Sequence, residues 1–133
     1  DDSQKHTSVR LLLSMGSMKG LMYAVRNPSI INIGFCIRGY DKEALPTLIS
    51  LYSKAIDVQH HSEYGCILHA IEEIAVNTDE GWNNVNNIFC KLIRKDRKKF
   101  IHLNWYLREW GVKRMEKATP FMSLDKVKIL LNQ

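Results

Sequence analysis

Asp41-Lys42-Glu43-Ala44-Leu45-Pro46-Thr47-Leu48-Ile49-Ser50-Leu51-Tyr52-Ser53-Lys54-Ala55-Ile56 is the stretch that decides the fold class. Leu45, Leu48, Ile49, Tyr52, Ala55 and Ile56 recur at steps of three and four. That spacing brings side chains onto one face of a helix with 3.6 residues per turn. Asp41 stands where a capping carboxylate would accept from the orphan N–H groups of the first turn. Pro46 falls in the opening turns, where its missing N–H does least harm. The stretch therefore predicts a capped helix with one buried face.

The same rhythm continues on the C-terminal side. Gln59-His60-His61 reads as a loop and Ser62 as the cap of a helix whose stripe is Tyr64, Ile67, Leu68, Ile71, Ile74 and Ala75. Asn77-Thr78-Asp79 reads as turn and cap, followed by Val85, Ile88, Phe89, Leu92 and Ile93 facing inward. Asp96 is placed to end that helix and cap the next. There Phe100, Leu103, Leu107 and Trp110 form one stripe, and Ile101, Trp105 and Val112 a second. Two stripes predict a helix buried on two sides. Thr119-Pro120 breaks the pattern, and Ser123 caps a last helix with Leu124, Val127, Leu130 and Leu131.

On the N-terminal side, Thr7 to Asn27 reads as one helix, apolar nearly all round and so buried on several sides. Gly16 and Gly20 lie four apart in it. Each costs roughly 1 kcal/mol of helix propensity, which close approach of another backbone would compensate. Asn27-Pro28 starts a short helix that ends at Arg38, before Gly39. No segment alternates with period two, so the chain is predicted to be all-α with essentially no sheet.

The segment Glu43-Ala44-Leu45-Pro46-Thr47-Leu48-Ile49-Ser50-Leu51 resembles the second helix of an armadillo-type repeat, which often opens with a small residue, an aliphatic and Pro. Gly65-Cys66-Ile67-Leu68-His69-Ala70-Ile71-Glu72-Glu73-Ile74-Ala75-Val76-Asn77 resembles that repeat's third helix and following turn. The resemblance covers residues 41–77, with a looser second copy at 79–117. It implies a right-handed superhelical stack of about six to seven helices, in which neighbouring hairpins bury each other's faces. It also implies a concave groove lined by third helices that binds an extended protein segment or helix. In many members an aromatic and an Asn, four apart, grip the peptide. Those positions are His69 and Glu73 here, and with Glu72 alongside they favour a basic partner.

The chain has 133 residues, consistent with one helical domain, 1–133, that needs no cross-link or metal to hold a core. It opens on Asp1 and not on Met, which reads as a piece of a longer protein. Cys36, Cys66 and Cys90 are sparse and odd in number, the usage of a reducing cytoplasmic or nuclear setting. The most apolar run, Leu11 to Val25, is too short to span a bilayer and contains Lys19. The net charge of +5 is unevenly spread: 1–90 carries −3, 91–117 carries +7, and 118–133 adds +1. A local cationic patch steers acidic partners.

Two site expectations follow. His69, Glu72, Glu73 and Asn77 form the partner groove. Lys91, Arg94, Lys95, Arg97, Lys98 and Lys99 form a basic patch at a helix junction, suited to phosphates. Trp105, Tyr106 and Trp110 lie near it and would stack on bases if exposed, although the stripes place Trp105 and Trp110 inside. His60, His61, Cys66 and His69 are all possible zinc ligands, but no second Cys-containing pair completes a recognised spacing. No nucleophile elbow or phosphate-binding glycine loop occurs. The expected function is non-enzymatic: a scaffold or adaptor module that binds another protein in a helical groove, without metal or cofactor. The alternative is an RNA- or DNA-binding domain that uses the 91–99 knuckle. A third reading is an accessory domain of an enzyme.

Overall fold

The computed structural model describes residues 2–28, 36–59, 61–75, 79–107 and 124–133, and all secondary structure among them is helical. The chain divides into two compact units, Asp1–Ile74 and Ala75–Gln133.

In the first unit, α1 spans Asp2–Ser14, α2 Met18–Arg26, α3 Leu45–Asp57 and α4 His61–Ala75, the last reaching just past the unit boundary. α1 packs on α2 and α2 on α3. The expected stripe of α3 is the core: Leu45, Leu48, Ile49 and Tyr52 are fully enclosed and Leu51 joins them. Burying each such side chain contributes about 1.5–3 kcal/mol. Pro46 sits in the first turn of α3. Asp41 precedes a 3-10 turn, Lys42–Ala44, instead of capping α3 through its side chain. On α4, Ile67, Leu68, Ile71 and Ala75 are buried as the stripe requires.

The helix expected over 7–27 is two helices. Gly16 adopts φ +73°. The Ser17 N–H donates to the Leu12 carbonyl at 3.0 Å and the Gly16 N–H to that of Leu13 at 3.4 Å. This is a Schellman ending, with glycine in the left-handed position that a side chain would strain. Ser17 then caps α2: its Oγ accepts from the Gly20 N–H at 3.1 Å. One residue pair, Gly16-Ser17, thus stops one helix and starts the next.

The segment after α2 seals this corner. The Arg38 N–H donates to the Leu13 carbonyl at 3.0 Å, and the Tyr40 hydroxyl donates to the Ser17 carbonyl at 2.6 Å. Burial pushes the Tyr40 phenol up from 10 to about 12. A Cβ on Gly16 would lie 2.6 Å from the Gly39 carbonyl oxygen. The anticipated close approach of backbone therefore exists, at a turn and not along a helix face. Gly20, within α2, meets a side chain instead, its absent Cβ 2.6 Å from the Leu12 Cβ of α1. Residues 37–41 are irregular, so the helix expected from Pro28 does not reach Arg38; its middle lies outside the described residues. Ser62 lies within α4, one residue after its start, so it does not precede the helix as a cap.

In the second unit, α5 spans Asp79–Lys95, a 3-10 turn covers Lys98–Phe100, α6 is described over 103–107, and α7 spans Asp125–Leu131. α5 packs on α7 and on the 3-10 turn. Val85, Phe89, Ile93, Phe100, Leu103, Leu107, Val127 and Leu131 form its core. Asn86 is buried within α5, and its Nδ2 donates to the Trp82 carbonyl at 3.0 Å. Among the described residues no helix is long and apolar enough to cross a membrane.

Candidate nucleic-acid interface

The knuckle is built by the end of α5. Asp96 follows the last helical residue, and its Oδ1 accepts from the Lys99 N–H at 3.2 Å, which tightens the chain into the 3-10 turn. The Phe100 N–H donates to the Arg97 carbonyl at 3.1 Å, and Phe100 plugs the core beneath. Asp96 thus follows the end of α5 as the sequence suggests, but what its carboxylate holds is the short 3-10 turn Lys98–Phe100, whose cap position is Arg97, and not the start of one long helix. With Phe100 anchored inward, the flanking cations are turned out: Lys91, Arg94, Lys95, Arg97 and Lys98 are exposed and Lys99 half-buried.

Lys91, Arg94, Lys95 and Lys98 form no ion pair among the described residues. Arg97 Nη1 donates to the Gln133 carbonyl, and the Lys99 ammonium lies 5.7 Å from the centre of the Phe100 ring. The Asn132 Nδ2 donates to Asn104 Oδ1 at 3.1 Å, tying α6 to the end of α7.

Of the second stripe expected on this segment, Ile101 and Trp105 are not buried, and Val112 lies outside the described residues. Ile101 is 51% exposed and Trp105 53% exposed. Phe100, Leu103 and Leu107 hold the buried face at helical steps of three and four, while Ile101 and Trp105, four apart, share a different face of the same segment. Trp105 is held edge-on to Tyr106, ring centres 5.0 Å apart at 86°, and Tyr106 stands edge-on to His102 at 6.3 Å. The outcome is an exposed indole braced by a second ring, one to two turns beyond a cluster of cations. Trp110 lies outside the described residues.

On α4, His69 Nε2 lies 2.9 Å from Glu73 Oε1, with His69 half-buried and Glu73 exposed, and His69 Nδ1 lies 4.0 Å from the buried Glu72 Oε2. The structure thus brings His69 and Glu73 together on the surface and places Glu72 beneath them. Asn77 lies outside the described residues. Among the described residues no three of His, Cys, Asp and Glu converge as metal ligands. Cys36, Cys66 and Cys90 form no disulfide.

Sequence reasoning missed one surface entirely. Leu11, Leu12, Met15, Met18, Met22 and Tyr23, assigned to a buried helix, are exposed on α1, α2 and the corner between them. Gly16-Ser17 carried the signal, a helix stop followed by a helix start. Compared with known protein families, curated proteins and solved structures, the chain matches none.

Proposed function

We propose that this chain is a non-enzymatic binding module that takes single-stranded nucleic acid across the 91–99 knuckle and Trp105. The observation that carries this reading is the exposed, braced indole of Trp105, close in sequence to the exposed cations Lys91, Arg94, Lys95 and Lys98, which form no ion pair among the described residues. Phosphates meet Lys91, Arg94, Lys95 and Lys98, and a base stacks on the indole. Stacking of one base on an aromatic side chain contributes about 1–3 kcal/mol and tolerates any base.

Salt titration with an oligonucleotide tests it. Contact with about four phosphates gives a slope of log affinity on log salt near about −3 for a single strand. Trp105→Ala should weaken oligonucleotide binding by tenfold or more yet leave inorganic polyphosphate, which has no bases, unaffected. Charge reversal at Arg94, Lys95 and Lys98 should abolish both. A flat salt response, or equal loss of polyphosphate binding in Trp105→Ala, would reject the reading.

A second reading rests on the armadillo-type resemblance. Here the helices stack as a right-handed superhelix, and His69 and Glu73, with Asn77, meet an extended segment or helix of a basic protein partner. Its support is the His69–Glu73 pair, half-buried and exposed respectively, on one face of α4. Joint replacement of His69 and Glu73 by Ala should then abolish partner binding and spare oligonucleotide binding. On either reading the thiols fit a cytoplasmic or nuclear setting.

A further inference from the structure

The geometry points to a second docking surface: the groove between α1 and α2 receives an amphipathic helix with an acidic polar face from a partner protein. The groove encloses about 640 Å³, with Val9, Leu12 and Tyr23 among its lining residues and with Lys5 and Lys19 at it, one from each helix. Neither lysine forms an ion pair among the described residues. Leu11 and Met15 on the same hairpin are 60% and 70% exposed. Exposed apolar residues gathered on one hairpin favour an interaction site, and methionine side chains adapt to whatever shape arrives.

Charge selects the occupant. Residues 2–26 carry Lys5, Arg10, Lys19 and Arg26 against the single acid Asp2. A second copy of this chain would bring like charges together. An acidic helix instead sets carboxylates against Lys5 and Lys19 while its apolar stripe fills the space over Leu12. Shape selects a helix over a lipid surface: the groove is concave, and a flat bilayer would leave it unfilled. Groove residues 5, 9 and 12 climb α1 at steps of four and three, so they repeat at the pitch of a docked helix.

The test uses the full chain and three labelled 18-residue peptides that share one Leu/Ile stripe, with polar faces of Glu, Gln or Lys, read by fluorescence anisotropy. The Glu-faced peptide should bind at least tenfold tighter than the Lys-faced one. The double variant Lys5→Glu/Lys19→Glu should invert that order. Leu12→Glu, which keeps the Cβ that Gly20 packs on, should weaken all three peptides at least tenfold with an unchanged circular-dichroism spectrum. Charge reversal at Arg94, Lys95 and Lys98 should leave peptide binding as it is, which separates this surface from the knuckle. Equal binding of the three peptides would overturn the inference. So would loss of binding in the knuckle variant, or binding only to vesicles of phosphatidylcholine with phosphatidylserine.

Discussion

α3 and the α1–α2 hairpin are similarly rich in apolar residues, yet one is core and the other is half outside. In α3 the apolar side chains fall on a single stripe at steps of three and four, and they are enclosed. In the hairpin they are spread round the whole circumference. Val9, Leu13, Leu21 and Ala24 go inward while Leu11, Met15, Met18 and Met22 stay in solvent. Burial follows from period and from where helices stop, not from apolar content. The second unit repeats the lesson over two neighbours: Phe100 is 1% exposed and Ile101 51%.

The sharpest way to break this contrast is to truncate both sides of it. Phe100→Ala and Leu13→Ala should each cost about 2–5 kcal/mol in urea unfolding, since a large enclosed side chain leaves a cavity. Ile101→Ala and Leu11→Ala should stay within about 0.5 kcal/mol of the parent. Comparable losses in the two sets would mean the exposed residues are covered in the folded protein.

A smaller effect probes the corner that splits the hairpin. Gly16→Ala should cost about 2 kcal/mol or more, because the left-handed backbone strains any side chain and the new Cβ would press on the Gly39 carbonyl. Gly39→Ala has the same positive φ but its nearest contact is 3.6 Å, so it should cost about half as much. If the two were equal, steric contact at the corner would have no part in fixing it.

The smallest effect lies in pH. Tyr40 holds its proton more tightly when folded, titrating near about 12 where an unfolded tyrosine titrates at 10. Its contribution is therefore full below pH 10 and is lost as pH rises through about 12. Thermal unfolding of the parent and of Tyr40→Phe should show a difference that is steady up to pH 10. Between pH 10 and 12 the parent alone should lose this pH-linked stability. An identical slope in both proteins would remove Tyr40 from the corner's alkaline response.

The sequence discloses α3, the α4 stripe, the inward face of α5 and the Asp96 junction, because each rests on short-range spacing or a capping side chain. It also discloses the cations of the knuckle, since charge is visible without any fold. Burial of Ile101 and Trp105 was not legible because a second apolar stripe does not say whether a neighbour packs on it: Phe100, Leu103 and Leu107 are enclosed at the same helical spacing while Ile101 and Trp105 face out. The hairpin was misread because Gly16 was counted as a costly helix interior and not as a terminus. Each hid a surface: the indole, and the apolar groove, which comes to light only when the end of α1 is placed at Gly16-Ser17. The pairing of His69 with Glu73 was legible from their spacing, whereas the burial of Glu72 was not, because it depends on what packs around α4.

The locked corner at Gly16, Ser17, Gly39 and Tyr40 bears on how a visitor would be received. A hairpin whose bend is already set by backbone hydrogen bonds gives up little freedom when its groove is filled. The ordering cost that weakens association with floppy surfaces is then small. Loosening that bend, even far from any contacting side chain, should shorten the residence time of a bound helix.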